Sequence, residues 1–333
     1  MDFKQVAIIG TDCISVSIAL GLKTQSQPPK IVAYDVDPRA SNQARGMRAV
    51  DRVERRPGRA CRNADLVIVA VPLPAMRETF AAIAPHLQPG CLITDTAFLK
   101  APVMRWAKEL LPENVFFVGG HPILNPAIVG SAYPEDVEEA SADLLKETLY
   151  CLTPPTGSVA AADAFVRLIT ALEAHPYFID VTEHDGLEAG VEGLPDLLAV
   201  ALLHATVDTP GWQEMRKFAD YRFAAATASA AGSVERPVAL SLNREHILRR
   251  LNVLLSELIR LRDLLNSEDV DALEETFVTA AEGRAYWLEE REQGMWTKER
   301  RARMHQVPTA GEHFQHMLLG DMSGRLRKKA DQS

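Results

Sequence analysis

The sequence is short of the features that mark several protein classes. Its four cysteines, Cys13, Cys61, Cys91 and Cys151, are widely separated. They form no CxxC pair, no zinc-ligand spacing and no disulfide framework, and so read as reduced thiols of a cytoplasmic protein. No apolar run approaches the ~18–20 residues of a membrane helix; the longest, such as residues 66–72, are strand-sized. The N-terminus enters a strand pattern directly, without the layout of a signal peptide. There is no internal repeat and no low-complexity tract. Positive charge is in deficit, 36 Lys and Arg against 45 Asp and Glu for a net charge of −9, which argues against nucleic acid as a default partner. What remains is a chain of 333 residues, 47% hydrophobic, with the balance of a soluble globular protein and length for two domains.

The apolar pattern changes character once along the chain. Short continuous runs at residues 4–9, 31–34, 66–71, 91–94 and 115–118 alternate with helical patterns at 14–22, 75–84 and 102–110. Buried strands alternating with helices predict βαβ units and a parallel sheet covered on both faces. A further strand, helix and strand are expected at 149–152, 158–172 and 177–181. Beyond residue 182 strand signals vanish. Apolar residues at 247, 248, 251, 254, 255, 258, 261, 264 and 265 follow the spacing of a long helix with one buried face. Ser267, followed by Glu268 and Asp269, is expected to cap the next helix. The fold class is therefore an α/β N-terminal domain, residues 1–181, and an all-α domain, 182–292. An irregular basic extension, 293–333, follows.

Charge is unevenly spread. Residues 39–62 carry eight arginines (39, 45, 48, 52, 55, 56, 59 and 62) against Asp51 and Glu54, read as the solvated face of one helix. From Trp296 onward eight Lys and Arg face four Asp and Glu. His305, His313 and His316 lack the cysteine or carboxylate partners of a metal site, and no metal is expected. Residues 317–319 (Met-Leu-Leu) could dock on a partner subunit.

The first strand leads into Gly10-Thr11-Asp12-Cys13-Ile14-Ser15 and a helix. A strand, a glycine turn and a helix N-terminus form a site for a dinucleotide pyrophosphate, because free N–H groups and the helix dipole favour anions there. Only the first glycine of GxGxxG is present; Asp12 and Ser15 replace the others. Asp12 would repel a pyrophosphate unless it turned away. Asp35 ends the second strand 25 residues after Gly10, where a carboxylate accepts hydrogen bonds from the adenosine ribose. That favours NAD, while Arg39 keeps NADP open. Gly10, Thr11, Cys13, Ile14, Asp35, Val71, Pro72 and Thr96 are the expected cofactor contacts.

Taken in order, VAIIG, AYDVDP, ADLVIVAVP, ITDTAFLK, FVGGHPILNP, CLTPP, TEHDGL, GLPD and LNREHILRRL, spanning residues 6–251, resemble the prephenate/arogenate dehydrogenase family. The most specific element is Gly119-Gly120-His121-Pro122. The resemblance implies a Rossmann-like domain, a helical dimerisation domain and hence a homodimer. It also implies oxidative decarboxylation of a cyclohexadienyl acid in tyrosine biosynthesis, with NAD as hydride acceptor. His121 matches the family's catalytic histidine, which would take the proton of the substrate's ring hydroxyl. Arg222 stands near the family's substrate-carboxylate arginine, and Asn243 matches a residue bracing the active-site face.

Four positions depart from the family. Phe98 stands near a serine that bonds the catalytic histidine, Ala127 where an acidic gate is common, and Gly193 and Asp196 where the family has two histidines. His184-Asp185 reads as a capping element. The departures leave two other readings open: a catalytically impaired homologue acting as a binding or oligomeric module, and a dehydrogenase for a different substrate.

Overall fold

A computed structural model of the chain describes residues 3–125, 134, 136–154, 159–207, 209–231 and 235–292. The expected basic extension, with its histidines and residues 317–319, lies outside the described residues, as does Ala127. The chain divides into two compact units. One holds residues up to Ala97, Val103–Asp180 and the stretch from Gly283; the other holds Phe98–Pro102 and Val181–Glu282. Two segments therefore group differently from the sequence-based division: 98–102 joins the helices, and 283–292 joins the sheet unit.

The first unit is Rossmann-like. Its strands are β1 (Gln5–Ile9), β2 (Lys30–Tyr34), β3 (Arg52–Val53), β4 (Leu66–Val69), β5 (Leu92–Asp95), β6 (Phe116–Ile123), β7 (Leu149–Thr153) and β8 (His175–Phe178). They form one sheet in the order β3-β2-β1-β4-β5-β6-β7-β8. The helices are α1 (Cys13–Lys23), α2 (Pro38–Gly46), α3 (Pro57–Ala60), α4 (Leu73–Ile83), α5 (Ala101–Leu110) and α6 (Val159–Ala171). Val6, Ile8, Leu66 and Ile68 are wholly buried, which is why β1 and β4 read as unbroken apolar runs. Pro102 occupies the first turn of α5, where its missing N–H costs nothing.

Several sequence-based boundaries shift. The sheet is not wholly parallel: β7 runs antiparallel to β6, Ile123 pairing with Leu149. Among the described residues the connection between them holds a single 3₁₀ turn, Val137–Glu139, rather than the crossover helix a parallel return requires. The last strand ends at Phe178, and Val181 opens a helix. The eight arginines do not share one helix: α2 ends at Gly46, Arg52 lies on β3 and Arg59 on α3.

The second unit is helical: α7 (Val181–Glu188), α8 (Leu194–Thr206), α9 (Tyr221–Thr227), α10 (Glu235–Leu242), α11 (Arg244–Asn266) and α12 (Val270–Glu292), the last of which ends within the first unit's residues. A π-helical turn, Ala189–Gly193, joins α7 to α8. Pro195, at the start of α8, offers no N–H for a bond four residues back, and the wide turn accommodates it with Leu194 N donating to Ala189 O. The expected long helix is α11, which begins at Arg244 after Asn243 separates it from α10. Ser267 closes α11 instead of opening the next helix. The carboxylate of Asp269 accepts from Ala272 N at 2.9 Å and so caps α12. Among the described residues no helix is long and apolar enough to cross a membrane.

Candidate active site

The glycine turn follows β1 at the carboxyl edge of the sheet. Gly10 has φ +93°, and a Cβ there would lie 2.0 Å from Ala70 O, so no other residue fits both the turn and the close strand. Gly10 N donates to Tyr34 O at 2.8 Å. Thr11 donates to Asp35 Oδ2 twice, from its N–H at 2.5 Å and its hydroxyl at 2.9 Å. Asp37 N donates to Asp35 Oδ1 at 2.8 Å. A carboxylate has about four acceptor positions; half-buried Asp35 therefore keeps one for a ribose hydroxyl.

Asp12 is the N-cap of α1. Its Oδ1 accepts from Ser15 N at 2.7 Å, and its own N–H donates to Ser15 Oγ at 3.1 Å, a reciprocal capping box. The two departures from GxGxxG thus compensate each other. Burial, helped by the charge of Asp35, raises the Asp12 carboxyl above the usual aspartate value despite the Ser15 hydrogen bonds. The Cys13 and Ile14 amides, in the first turn of α1, have no intrahelical acceptor and suit a pyrophosphate. Burial pushes the Cys13 thiol up to about 11, so it contributes its amide and no nucleophile.

Val71 and Pro72 follow β4, and Pro72 opens α4. Thr96 follows β5, its N–H donating to Val69 O at 3.2 Å. All the expected cofactor contacts thus sit where β1, β2, β4 and β5 end, and the order reverses between β1 and β4. That is the topological switch point where open α/β sheets bind ligands.

His121 lies on the same edge, on the part of β6 that runs past β5. It is 9% exposed and faces Cys151 across the β6–β7 pairing. Beside it is a group the sequence did not single out. Asp95, wholly buried, accepts from Gly120 N at 3.1 Å and from Ala97 N at 3.1 Å. A Cβ on Gly120 would fall 2.6 Å from Asp95 O, so the second glycine of the GGHP run lets β6 close on β5 next to the histidine. Tyr150 packs against this point, and burial with the Asp95 and Asp12 charges lifts its phenol far above the ordinary range.

The helical unit has a small open pocket of about 20 Å³ lined by Phe98, Glu188, Glu192, Asp196, Arg236 and Asn243, with apolar walls from Leu99 and Ile247. Phe98, Gly193, Asp196 and Asn243, all placed at the site by the resemblance, share its lining. Arg236, which the sequence did not single out, is the cation of this lining. Its guanidinium lies 5.0 Å from the centre of the Phe98 ring, 3.2 Å from Glu192 and 3.4 Å from Asp196. Glu188 is 7% exposed, and its Oε1 has no hydrogen-bond partner among the described residues. Burial and the Glu192 charge push its carboxyl up to about 8. It is a neutral acid at pH 7, able to donate a hydrogen bond. A Cβ at Gly193 would lie 2.3 Å from Ile247 Cδ1, so a histidine there requires that side chain to move.

Arg222, the expected carboxylate ligand, does not line this pocket. It is exposed on α9, its guanidinium 5.9 Å from the ring centre of its neighbour Tyr221. Asn243 lines the pocket while its Nδ2 donates to Asp185 O at 2.8 Å. The His184-Asp185 pair does cap a helix, although a different one. The Asp185 carboxylate accepts from Lys100 N and Ala101 N, each at 2.8 Å, which fixes the start of α5 and presents Phe98. His184 Nδ1 lies 2.9 Å from Asp185 Oδ1.

A family model for the nucleotide-binding domain of prephenate dehydrogenase matches residues 18–177. The prephenate dehydrogenase of Bacillus subtilis is 25% identical over 284 residues, 84% of this chain and 75% of that protein. The cyclohexadienyl dehydrogenase of Zymomonas mobilis is 27% identical over 289 residues, 85% of this chain and 95% of that protein. The crystal structure of prephenate dehydrogenase from A. aeolicus, in complex with hydroxyphenyl propionate and NAD+, superposes with a TM-score of 0.74 at 21% identity. That superposition covers 85% of this chain and 99% of the other, and bears on fold. With the ordered motifs and the edge-of-sheet site, these likenesses support the prephenate/arogenate dehydrogenase family of oxidoreductases, to whose nucleotide-binding domain residues 18–177 are similar.

Proposed function

We propose that this chain is an NAD-dependent dehydrogenase that oxidatively decarboxylates a cyclohexadienyl acid, with His121 as the general base. The observation that carries this reading is the position of His121, on the carboxyl edge of the sheet that also presents Gly10, the α1 amides and Asp35. The residues fit the cofactor: Cys13 and Ile14 offer amides to the pyrophosphate, and Asp35 keeps an acceptor for the ribose. A carboxylate at Asp35 favours NAD over its 2′-phosphorylated form.

Bound NAD supplies the hydride acceptor. The imidazole of His121 takes the proton of the ring hydroxyl as the carbon bearing it loses hydride. The electron pair of the bond to the ring carboxylate moves through the resulting dienone to its carbonyl oxygen as carbon dioxide leaves, the ring becomes aromatic, and that oxygen takes a proton back to become the phenol. Asp95 holds the Gly120 amide and with it the strand position of the histidine. A positioned base of this kind contributes about 10²–10⁴-fold.

We further infer a homodimer through the helical unit. Leu248, Val253, Ile259, Leu265 and Phe277, on α11 and α12, are between 47% and 66% exposed, apolar surface that a second copy would cover. Sedimentation giving twice the chain mass is the expected result, and a monomer at micromolar concentration would refute it. Four buried, free thiols support a cytoplasmic location.

A further inference from the structure

The arginine-rich segment plays no part in the chemistry above. Its residues converge with β1 and β2 on a separate opening of about 350 Å³, lined by Gln5, Lys30, Val32, Arg52, Glu54, Arg59, Arg62 and Asn63. Gln5 and Lys30 begin β1 and β2 and pair with each other. The opening is therefore at the amino edge of the sheet, while Gly10 and Asp35 follow the carboxyl ends of the same strands. Five residues of strand at ~3.3 Å each put roughly 16 Å between the two edges.

Four cations and one carboxylate line this opening. Glu54 is paired with Arg52. Arg59 and Arg62 have no ion-pair partner among the described residues, and Lys30, near Asp51, has none in direct contact, so the positive charge facing this concave space is only partly balanced. The floor beneath them is fixed. Gln5 Nε2 donates to Arg62 O at 2.7 Å, Asp65 Oδ2 accepts from Lys4 N and Gln5 N at 2.7 and 3.0 Å, and Asn63 turns the chain at φ +59°. In a chain of net charge −9, this cluster concentrates positive charge where nothing else in the fold uses it.

We propose that this opening is a second ligand site, which binds a small polyphosphate anion. Guanidinium groups match phosphate oxygens in paired hydrogen bonds, and the volume lies within the ~300–1,000 Å³ of small-molecule sites. No aromatic side chain is in the lining, so there is no platform for stacking bases; the phosphates are what is recognised. A single phosphate engages one or two of the cations, whereas a linear triphosphate can satisfy all three. The site is independent of the dehydrogenase reading and would stand if that reading failed.

The test is calorimetric titration of the full chain with inorganic triphosphate at about 0.15 M salt, with and without saturating NAD. Expected are binding in the micromolar range, tighter than orthophosphate by at least about tenfold, and affinity unchanged by NAD. The Arg59→Ala/Arg62→Ala double variant, altered only at exposed side chains, should weaken binding by about tenfold or more, since it removes two guanidinium groups that pair with phosphate oxygens. Lys30→Ala should weaken it severalfold, and Arg105→Ala, outside the opening, should leave it unchanged. No heat at millimolar triphosphate would overturn the proposal. So would displacement by NAD, equal affinity in the double variant, or a single-stranded RNA homopolymer competing as well as triphosphate.

Discussion

Replacing Glu188 with glutamine should flatten the pH dependence of stability of the helical unit. The glutamate is buried in the pocket wall with one oxygen unpartnered, and its carboxyl is pushed from the ordinary 4.5 up to about 8. Between those two values the native state holds a proton that the unfolded chain has released. Stability from this group is therefore complete below pH 4.5 and is lost as the pH rises toward 8. One proton of difference corresponds to ~1.4 kcal/mol per pH unit, so the whole window is worth roughly 5 kcal/mol. Glutamine keeps the shape and a hydrogen-bond donor but does not titrate. Urea unfolding of wild type and Glu188→Gln, followed by circular dichroism from pH 5 to pH 8, measures the effect. The variant should gain on wild type as the pH rises, the gap widening by about 3 kcal/mol between pH 5.5 and 7.5. Parallel curves would show that Glu188 is ionised in the folded protein and that the neutral-acid description of the pocket is mistaken.

Other perturbations have equally definite outcomes. Gly10→Ala combines a left-handed backbone with a Cβ 2.0 Å from Ala70 O; it should destabilise the sheet unit by about 2 kcal/mol or more and weaken NAD binding, read by thermal denaturation and calorimetry. Asp35→Ala removes the acceptor of both Thr11 hydrogen bonds and of the proposed ribose contact. It should raise the Kd for NAD about tenfold or more, and an unchanged Kd would remove Asp35 from the site. Asp185→Ala strands the amides of Lys100 and Ala101, with an expected loss of about 2–5 kcal/mol in denaturant unfolding.

Much of the dinucleotide half of the site was legible because it depends on local rules. A wholly apolar β1, a glycine forced to positive φ and an acid at the end of β2 each leave a mark within a few residues. The role of Asp12 was not legible as a pair with Ser15, because the fingerprint treats both positions as glycines rather than as a possible capping box. The helical half was harder. Arg236, Glu188 and Asp185 act through residues tens of positions away, and no spacing joins Arg236 to Phe98 or Asp185 to Lys100. Arg222 lay near a motif arginine, but α9 carries it to an exposed surface, while Arg236 on α10 supplies the guanidinium of the pocket. Reading eight arginines as one helix face failed for a related reason. A two-residue strand, β3, has too little pattern to show in sequence, yet it brings Arg52 to the opening that Arg59 and Arg62 share.

The account rests on His121 as a base working with bound NAD. Its most direct test is the appearance of reduced nicotinamide when the purified chain meets NAD and arogenate or prephenate, in wild type and in His121→Asn. Turnover by wild type with at least one of these acids, reduced about 10²–10⁴-fold in kcat by the substitution while the Kd for NAD is unchanged, is the predicted result. Turnover that survives the substitution would contradict the assignment of His121. Absence of both turnover and NAD binding in the wild type would contradict the dehydrogenase reading itself.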